Sequence, residues 1–282
     1  MIREWRDRVF VVGFVMSVAA GVLGLAALLL DVLADGLPYL NWNFISSYSS
    51  YEPGKAGILG PLGGTLWIAG LTALFTIPLG VATAIYLEEF ASKNRLNRLI
   101  ELNIANLAGV PSVIYGLLGL AMFVQFLFGG SRNVTAGALT MTLLVLPIVV
   151  IASQEAIKAV PASYRDAAYA MGANKWQVVK SVVLPQAMPG MMSGIILALS
   201  RAIGESAPIL IISSLVVVTF VPTTPDSSFT VLPLQIFTWI GHQNPEFRGI
   251  AAAAIIVLLG LLLSMNGVAI WIRNKYQVRP EQ

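Results

Sequence analysis

Residues 155–190 read EAIKAVPASYRDAAYAMGANKWQVVKSVVLPQAMPG, a polar interruption in an otherwise strongly apolar chain. Pro161 bars an ordinary helix from running straight through, because it has no N–H and its ring clashes with the carbonyl four residues back. Ser163, with Asp166 three residues on, has the spacing of a capping box. A short helix is therefore expected over Tyr164–Met171, about 12 Å long at 1.5 Å per residue. Gly172 stands where a left-handed residue would end it. Asn174 is placed to cap a second helix through Leu184, which Pro185 would stop. The result is a stub helix between two turns, with Ala167, Ala168 and Ala170 exposed beside Tyr164 and Tyr169. It has the shape of a part that fits a groove on a partner. On the residues alone, it fits a plain helical connection equally well.

What it connects is set by composition. Of 282 residues, 57% are hydrophobic and 11% charged, where a soluble domain carries about 25% charged; the mean hydropathy is +0.79. No soluble core buries that much apolar sequence. With no cysteine, disulfides, thiolate metal sites and cysteine nucleophiles are excluded. No basic stripe is interleaved with aromatics, which excludes a nucleic-acid partner.

A membrane span needs about 20 mostly apolar residues to cross about 30 Å of hydrocarbon. Six stretches qualify: Val9–Leu30, Ile58–Leu87, Asn106–Phe128, Val134–Ser153, Gly190–Val218 and Ile250–Ile272. The first is longer than the apolar part of a signal peptide, about 7–15 residues, so it reads as a retained helix. Lys and Arg in short loops set orientation. Arg3, Arg6, Arg8, Lys93, Arg95, Arg98, Lys158, Arg165, Lys175, Lys180, Arg273, Lys275 and Arg279 fall on one side, and Lys55, Arg132 and Arg248 on the other. Thirteen against three places both termini in the cytoplasm and makes 155–186 the largest cytoplasmic loop. Loops 35–57 and 219–248, rich in Pro, Ser and Thr, read as solvated connections outside. Glu88 and Glu89 close the second span and are placed to touch the cytoplasmic elements. The amphipathic stretch SKNRLNRLIELN (92–103) is suited to the inner surface, with Lys93, Arg95 and Arg98 toward anionic lipid.

One apolar stretch carries charge: LSRAIGESAPIL, residues 199–210. Arg201 lies 11 residues past Gly190, about 16 Å along a helix and close to the bilayer middle. A charge there costs at least about 2.5–3.5 kcal/mol on insertion scales, so it should face the bundle interior or an aqueous path. Its planar fork matches phosphate oxygens. Glu205 would lie one turn on, on the same face, and Pro208 would loosen the helix beside the pair. A structural ion pair and a solute-path site both fit. Ser–Lys or Ser–His pairs, paired aspartates and HExxH are absent from the spans, which leaves an intramembrane hydrolase without machinery.

The pattern D-A-A-x3-G-x9-V-x-L-P at Asp166, Ala167, Ala168, Gly172, Val182, Leu184 and Pro185 resembles the EAA loop of ABC-importer permeases, usually E-A-A-x3-G-x9-I-x-L-P. The stretches GGTLWIAG (63–70), IPLGVATAIYLEEFA (77–91), NLAGVPSVIYGLLGLAMFV (106–124), LSRAIGESAPIL and residues 231–276 are similar to the phosphate-specific transport permeases, of PstA rather than PstC type. The resemblance implies an all-α integral membrane protein with six transmembrane helices and the type I ABC importer permease fold. Residues 1–40 would hold the N-terminal tail and first helix, 41–275 the transmembrane domain, and 276–282 a cytoplasmic tail. It implies a multi-pass subunit of a prokaryotic plasma (inner) membrane, paired with a PstC-type sister permease, two ATP-binding subunits and an extracytoplasmic phosphate-binding protein. Tyr164, Asp166, Ala167, Ala168 and Gly172 would belong to a coupling helix that docks on the ATPase, and Arg201 and Glu205 to the phosphate path. No cofactor is implied for the chain itself, since ATP would be bound by the partner. Consistently, no G-x-x-x-x-G-K-[ST] occurs in the sequence. The motif alone also admits a permease for another oxyanion or small solute.

Overall fold

Hydrocarbon offers no hydrogen-bond partners, so each apolar segment must satisfy its own backbone, and a helix is the local solution. The computed structural model describes residues 2–92, 94–213 and 217–275, and its elements there are helical. They are α1 (Ile2–Gly36), α2 (Trp42–Ser46), α3 (Leu59–Ile85), α4 (Arg95–Ala108), α5 (Ser112–Gly119), α6 (Val134–Lys158), α7 (Ala162–Ala170), α8 (Lys175–Val178), α9 (Leu184–Gly204), α10 (Ala207–Ile212), α11 (Leu232–Ile240) and α12 (Glu246–Lys275). Widened π turns extend α3 over Tyr86–Phe90, extend α5 over Leu120–Leu127, and join α8 to α9 over Val179–Val183. Lys93 and residues 276–282, including Arg279 and the expected tail, lie outside the described residues, as does the 214–216 part of the expected fifth span.

Five helices are long and apolar enough to cross a bilayer by themselves: Phe10–Tyr39, Leu59–Phe90, Val134–Lys158, Lys175–Gly204 and Glu246–Lys275. The third span, expected as one helix over Asn106–Phe128, is broken. Arg95–Ala108 and Ser112–Leu127 meet at 106°. Pro111 is the cause, since it removes a donor and pushes Val110 out of the helical region. The fifth span departs in the other direction. Pro185 does not stop the Asn174-capped helix, which runs on to Gly204. The π turn just before the proline lets the Leu184 N–H bond the Val179 carbonyl five residues back. This wider turn is the local adjustment by which helices accommodate such a residue.

α6 is the centre: two-thirds of its apolar window is buried (67%), against none for α1. Small residues let its neighbours approach. Gly190 and Gly194 on α9 sit over Ala156 and Ala152 on α6, one small-xxx-small face against another. α3 packs on α6 beside α9, with Gly80 against Val149. The core cluster draws on Ile68, Tyr115, Met141, Val145, Ile195 and Ile209 from five different helices. α1 reaches the bundle mainly at its end, where Gly36 meets Ala252 and Ala253 of α12.

The loop expected to be a solvated connection over 219–248 instead folds back into the end of the bundle far from α7. Phe229 is 1% exposed within the core, and the segment carries α11. The Trp67 indole N–H donates to the Pro222 carbonyl (2.7 Å), and the Leu232 N–H donates to the Thr65 hydroxyl (2.8 Å). Gly64 permits this contact: any Cβ there would collide with the Thr230 carbonyl oxygen. Backbone cannot yield as a side-chain tip does, so Gly64→Ala should destabilise the protein by about 1–3 kcal/mol, the usual range for overpacking. The check is a lowered thermal midpoint of the purified protein, against no change for Gly70→Ala, where a Cβ meets nothing.

Candidate functional site

Two places break the regular pattern, one at mid-bilayer depth and one at the polar end. At the first, α9 ends at Gly204, and Glu205 is extended (φ −85°, ψ 119°) before α10 restarts at Ala207. The expected helical stagger of Arg201 and Glu205 on one face is therefore not formed. The helix stops before Glu205 instead of loosening at Pro208, which lies in the first turn of α10 where a proline N–H would have had no partner anyway. Among the described residues no ion pair joins Arg201 to Glu205.

The two side chains face different surroundings. Glu205 is half-buried beside Thr65, Ile68 and Ala69 of α3 in a cavity of about 10 Å³, room for about one water. Arg201 is exposed, in line with Leu197 and Gly204 along a stripe of α9 that the described residues leave open; one end of it, at Ser193, accepts a hydrogen bond from Arg273 of α12 (3.1 Å). Next to it, the Ser200 hydroxyl donates to the Asn266 side-chain oxygen on α12 (2.7 Å). Asn266 stands about 14 Å along α12 from Lys275, at 1.5 Å per residue, about half of a hydrocarbon layer of about 30 Å counted from that end. A guanidinium at that depth needs water or polar partners. On this chain alone it has an open face.

The second place is α7. It starts at Ala162 with Pro161 as its cap and no side-chain cap bond, so the Ser163–Asp166 capping box does not form. The proline itself sets the helical entry and makes the box redundant. Gly172 ends it as expected, at φ +82°, with the Ala173 N–H bonding the Ala168 carbonyl (3.1 Å). Tyr164, Asp166, Ala167 and Tyr169 are exposed. Ala168 is not; it turns inward, half-buried against the cluster of Ala84, Ile157, Val178 and Val183. Asn174 and Gln177 form the capping box that starts α8.

A residue that sequence reading took only as a loop cation holds α7 in place. Arg165 donates from Nη1 to the Val160 carbonyl (2.7 Å), from Nη2 to the Ile157 carbonyl (3.0 Å), and from Nε and Nη2 to Glu89 Oε1 (3.2 and 2.9 Å). Glu88 accepts from the Gln154 amide (3.0 Å) and pairs with Lys158 (3.4 Å). The adjacent Glu88 and Glu89 were the visible signal; their partners were not. His242, the single histidine, accepts from the Asn244 N–H and packs on Phe247, a local turn contact.

Comparison with known proteins bears on the arrangement as a whole. The family described as binding-protein-dependent transport system inner membrane component matches residues 76–277. The chain belongs to this family. A probable ABC transporter permease, YqgI of Bacillus subtilis, is 32% identical over 91% of this chain and 94% of its own length. The phosphate transport system permease protein PstA 1 of Mycobacterium tuberculosis is 36% identical over 79% of this chain and 72% of its own. Among solved structures, a bacterial alginate ABC transporter in complex with its periplasmic protein gives a TM-score of 0.69 at 17% identity, covering 94% of this chain and 93% of that one. The inward-facing MetNI methionine transporter gives 0.63 at 18%, covering 76% and 94%. The permease thus has the type I ABC importer fold, and it is a multi-pass membrane component of a binding-protein-dependent importer.

Within that fold α7 occupies the loop between the fourth and fifth spans, and its exposed face depends on the turn at Gly172. A Cβ at Gly172 would meet nothing, but the left-handed backbone costs a non-glycine residue about 1–2 kcal/mol. Gly172→Ala should therefore raise amide hydrogen exchange across Ala168–Ala173 about tenfold while α6 and α9 stay protected.

Proposed function

We propose that this permease is the PstA-type half of an ATP-driven importer of inorganic phosphate. It would pair with a PstC-type sister permease, two ATP-binding subunits and an extracytoplasmic phosphate-binding protein. The solute class rests on relatives named as phosphate transport permeases at 29–36% identity over most of the chain. The route rests on one observation: Arg201 stands near mid-bilayer on the open stripe of α9. A second permease laid against that stripe would close a path between the two chains, with the guanidinium in its wall. Arginine stays charged there and offers a planar fork to an oxyanion. Its charge would lower the barrier to an anion in a low-dielectric passage.

Glu205 takes a secondary part in this reading. Its cavity is far too small for phosphate, so it would border the path only when α3 and α9 separate. The exposed side of α7, with Tyr164, Asp166, Ala167 and Gly172, is the docking surface for the ATP-binding subunit, and Ala168 supports it from behind. The excess of Lys and Arg on the α7 side supports a cytoplasmic placement of that side and of both termini.

The test is uptake by the complete complex in liposomes, driven by internal ATP and a loaded binding protein. Arg201→Gln should cut phosphate uptake about tenfold or more, the loss expected when a charge-assisted hydrogen bond of about 1.5–3 kcal/mol is removed. Assembly with the ATP-binding subunits should be unchanged, and Arg201→Lys should recover part of the rate. Full-rate uptake by the glutamine variant would take Arg201 off the path. Uptake of sulfate in preference to phosphate by the unaltered complex would reassign the solute.

A further inference from the structure

The geometry points to Arg165 as the positioning residue that makes the docking helix α7 and the transmembrane helices α3 and α6 move as one body. This inference rests on the transport reading above and goes to how a displacement at α7 reaches the membrane.

α7 has little else to hold it. None of its residues is fully buried, and it hangs from α6 by the short link through Pro161. That proline has no N–H, so in place of the donor a continuous helix would have supplied the carbonyl of Ile157 takes the Val160 N–H (3.2 Å). Arg165 adds a second donor to it and takes the Val160 carbonyl with its other terminal nitrogen. Two donors on consecutive edges of one rigid plane fix the angle between α7 and the end of α6. A lysine, with one nitrogen, could not span both carbonyls and a carboxylate in this way.

The remaining donors reach a different helix. Glu89 lies in the π turn at the end of α3, and its side chain is 10% exposed, that of Arg165 20%. This is a shielded pair with several hydrogen bonds, unlike the fully solvated Lys55–Glu52 pair (73% and 69% exposed). Glu88, one residue earlier, bonds Gln154 and Lys158 of α6. The two adjacent carboxylates divide the work: Glu88 ties α3 to α6, and Glu89 ties α3 to α7.

α3 then carries the displacement across the membrane. Leu59–Phe90 is one continuous helix of 32 residues, with Pro78 inside it and the π turn at its end. About 30 Å from Glu89, at 1.5 Å per residue, Ile68 and Ala69 border the cavity that holds Glu205 at the helix break. A push on α7 therefore arrives at the break through one ion pair and one continuous helix.

The experiment uses the assembled transporter with Arg165→Gln and, separately, Glu89→Gln. The second variant keeps both carbonyl bonds of Arg165 and removes only the charge on the α3 side. Both complexes should retain their ATP-binding subunits and basal ATP turnover. Stimulation of turnover by the loaded binding protein, and solute moved per ATP hydrolysed, should each fall about fivefold or more, the lower end of ordinary coupling between sites. Arg165→Lys should restore part of the stimulation. Unchanged stimulation and stoichiometry in both glutamine variants would overturn the assignment. So would loss of the ATP-binding subunits from both, which would make Arg165 a prop for α7 and nothing more. The readouts are taken with whichever solute the unaltered complex carries, so a failure of the phosphate reading leaves this result interpretable.

Discussion

A backbone carbonyl that loses its N–H donor inside or beside a bilayer has no water to fall back on. That constraint bears on two proline turns of this chain. Pro111 denies the carbonyl of Leu107 its regular helical donor, and Pro161 that of Ile157, each four residues back; the Val110 and Val160 N–H groups bond them in tighter turns (3.0 and 3.2 Å). In both cases the side chain four residues after the proline reaches over the turn. The Tyr115 hydroxyl donates to Leu107 (2.7 Å) and the Arg165 guanidinium to Ile157 (3.0 Å). The same device thus makes the elbow of the broken third span and the elbow that leads into α7. Tyr115 is 1% exposed, so the first elbow is sealed into the core. Arg165 faces the polar rim, so the second is held by charge. Pro185 is handled otherwise, by a wide turn inside a continuous helix, and no bend follows.

Once the elbows are fixed, close packing decides which faces remain free. α6 is enclosed because small residues on it and on α9 let the two backbones approach, a source of adhesion between helices where lipid tails are as apolar as leucine. Enclosing α6 uses one side of α9 and leaves the stripe through Leu197 and Arg201 bare. A leucine tolerates lipid and an arginine does not. The open face of α9 is therefore one that a partner or an aqueous route must complete.

Much of this was legible in residue order. Four of the six apolar stretches, the left-handed stop at Gly172 and the Asn174 cap follow from local chemistry and appear as read. The short helix α7 was legible because Asp166, Ala167, Ala168 and Gly172 are spaced by one short helix. The failures have local causes too. Ser163 looked like a cap, but a cap is needed only where the preceding residue does not already set the turn, and Pro161 does. Asn106–Phe128 looked continuous because hydropathy is blind to one missing N–H. Phe229 looked solvent-bound amid Pro, Ser and Thr, since burial of a loop is decided by what it covers. Arg165 could not be assigned from order alone, for Glu89 lies 76 residues earlier. Nothing local says which carboxylate an arginine will find.

Two groups of charges lie at different depths, and the helix that spans between them is apolar. Glu88, Glu89, Lys158 and Arg165 sit at the rim, where neighbours and water share the cost of desolvation. Arg201 and Glu205 sit near the middle, where they do not. Left against lipid, the midplane arginine alone would cost at least about 2.5–3.5 kcal/mol, a large fraction of the about 5–15 kcal/mol by which ordinary proteins are stable. The isolated chain is therefore a poor end state. The charge that would make a passage for an anion is also a reason for the chain to seek the second surface that completes that passage.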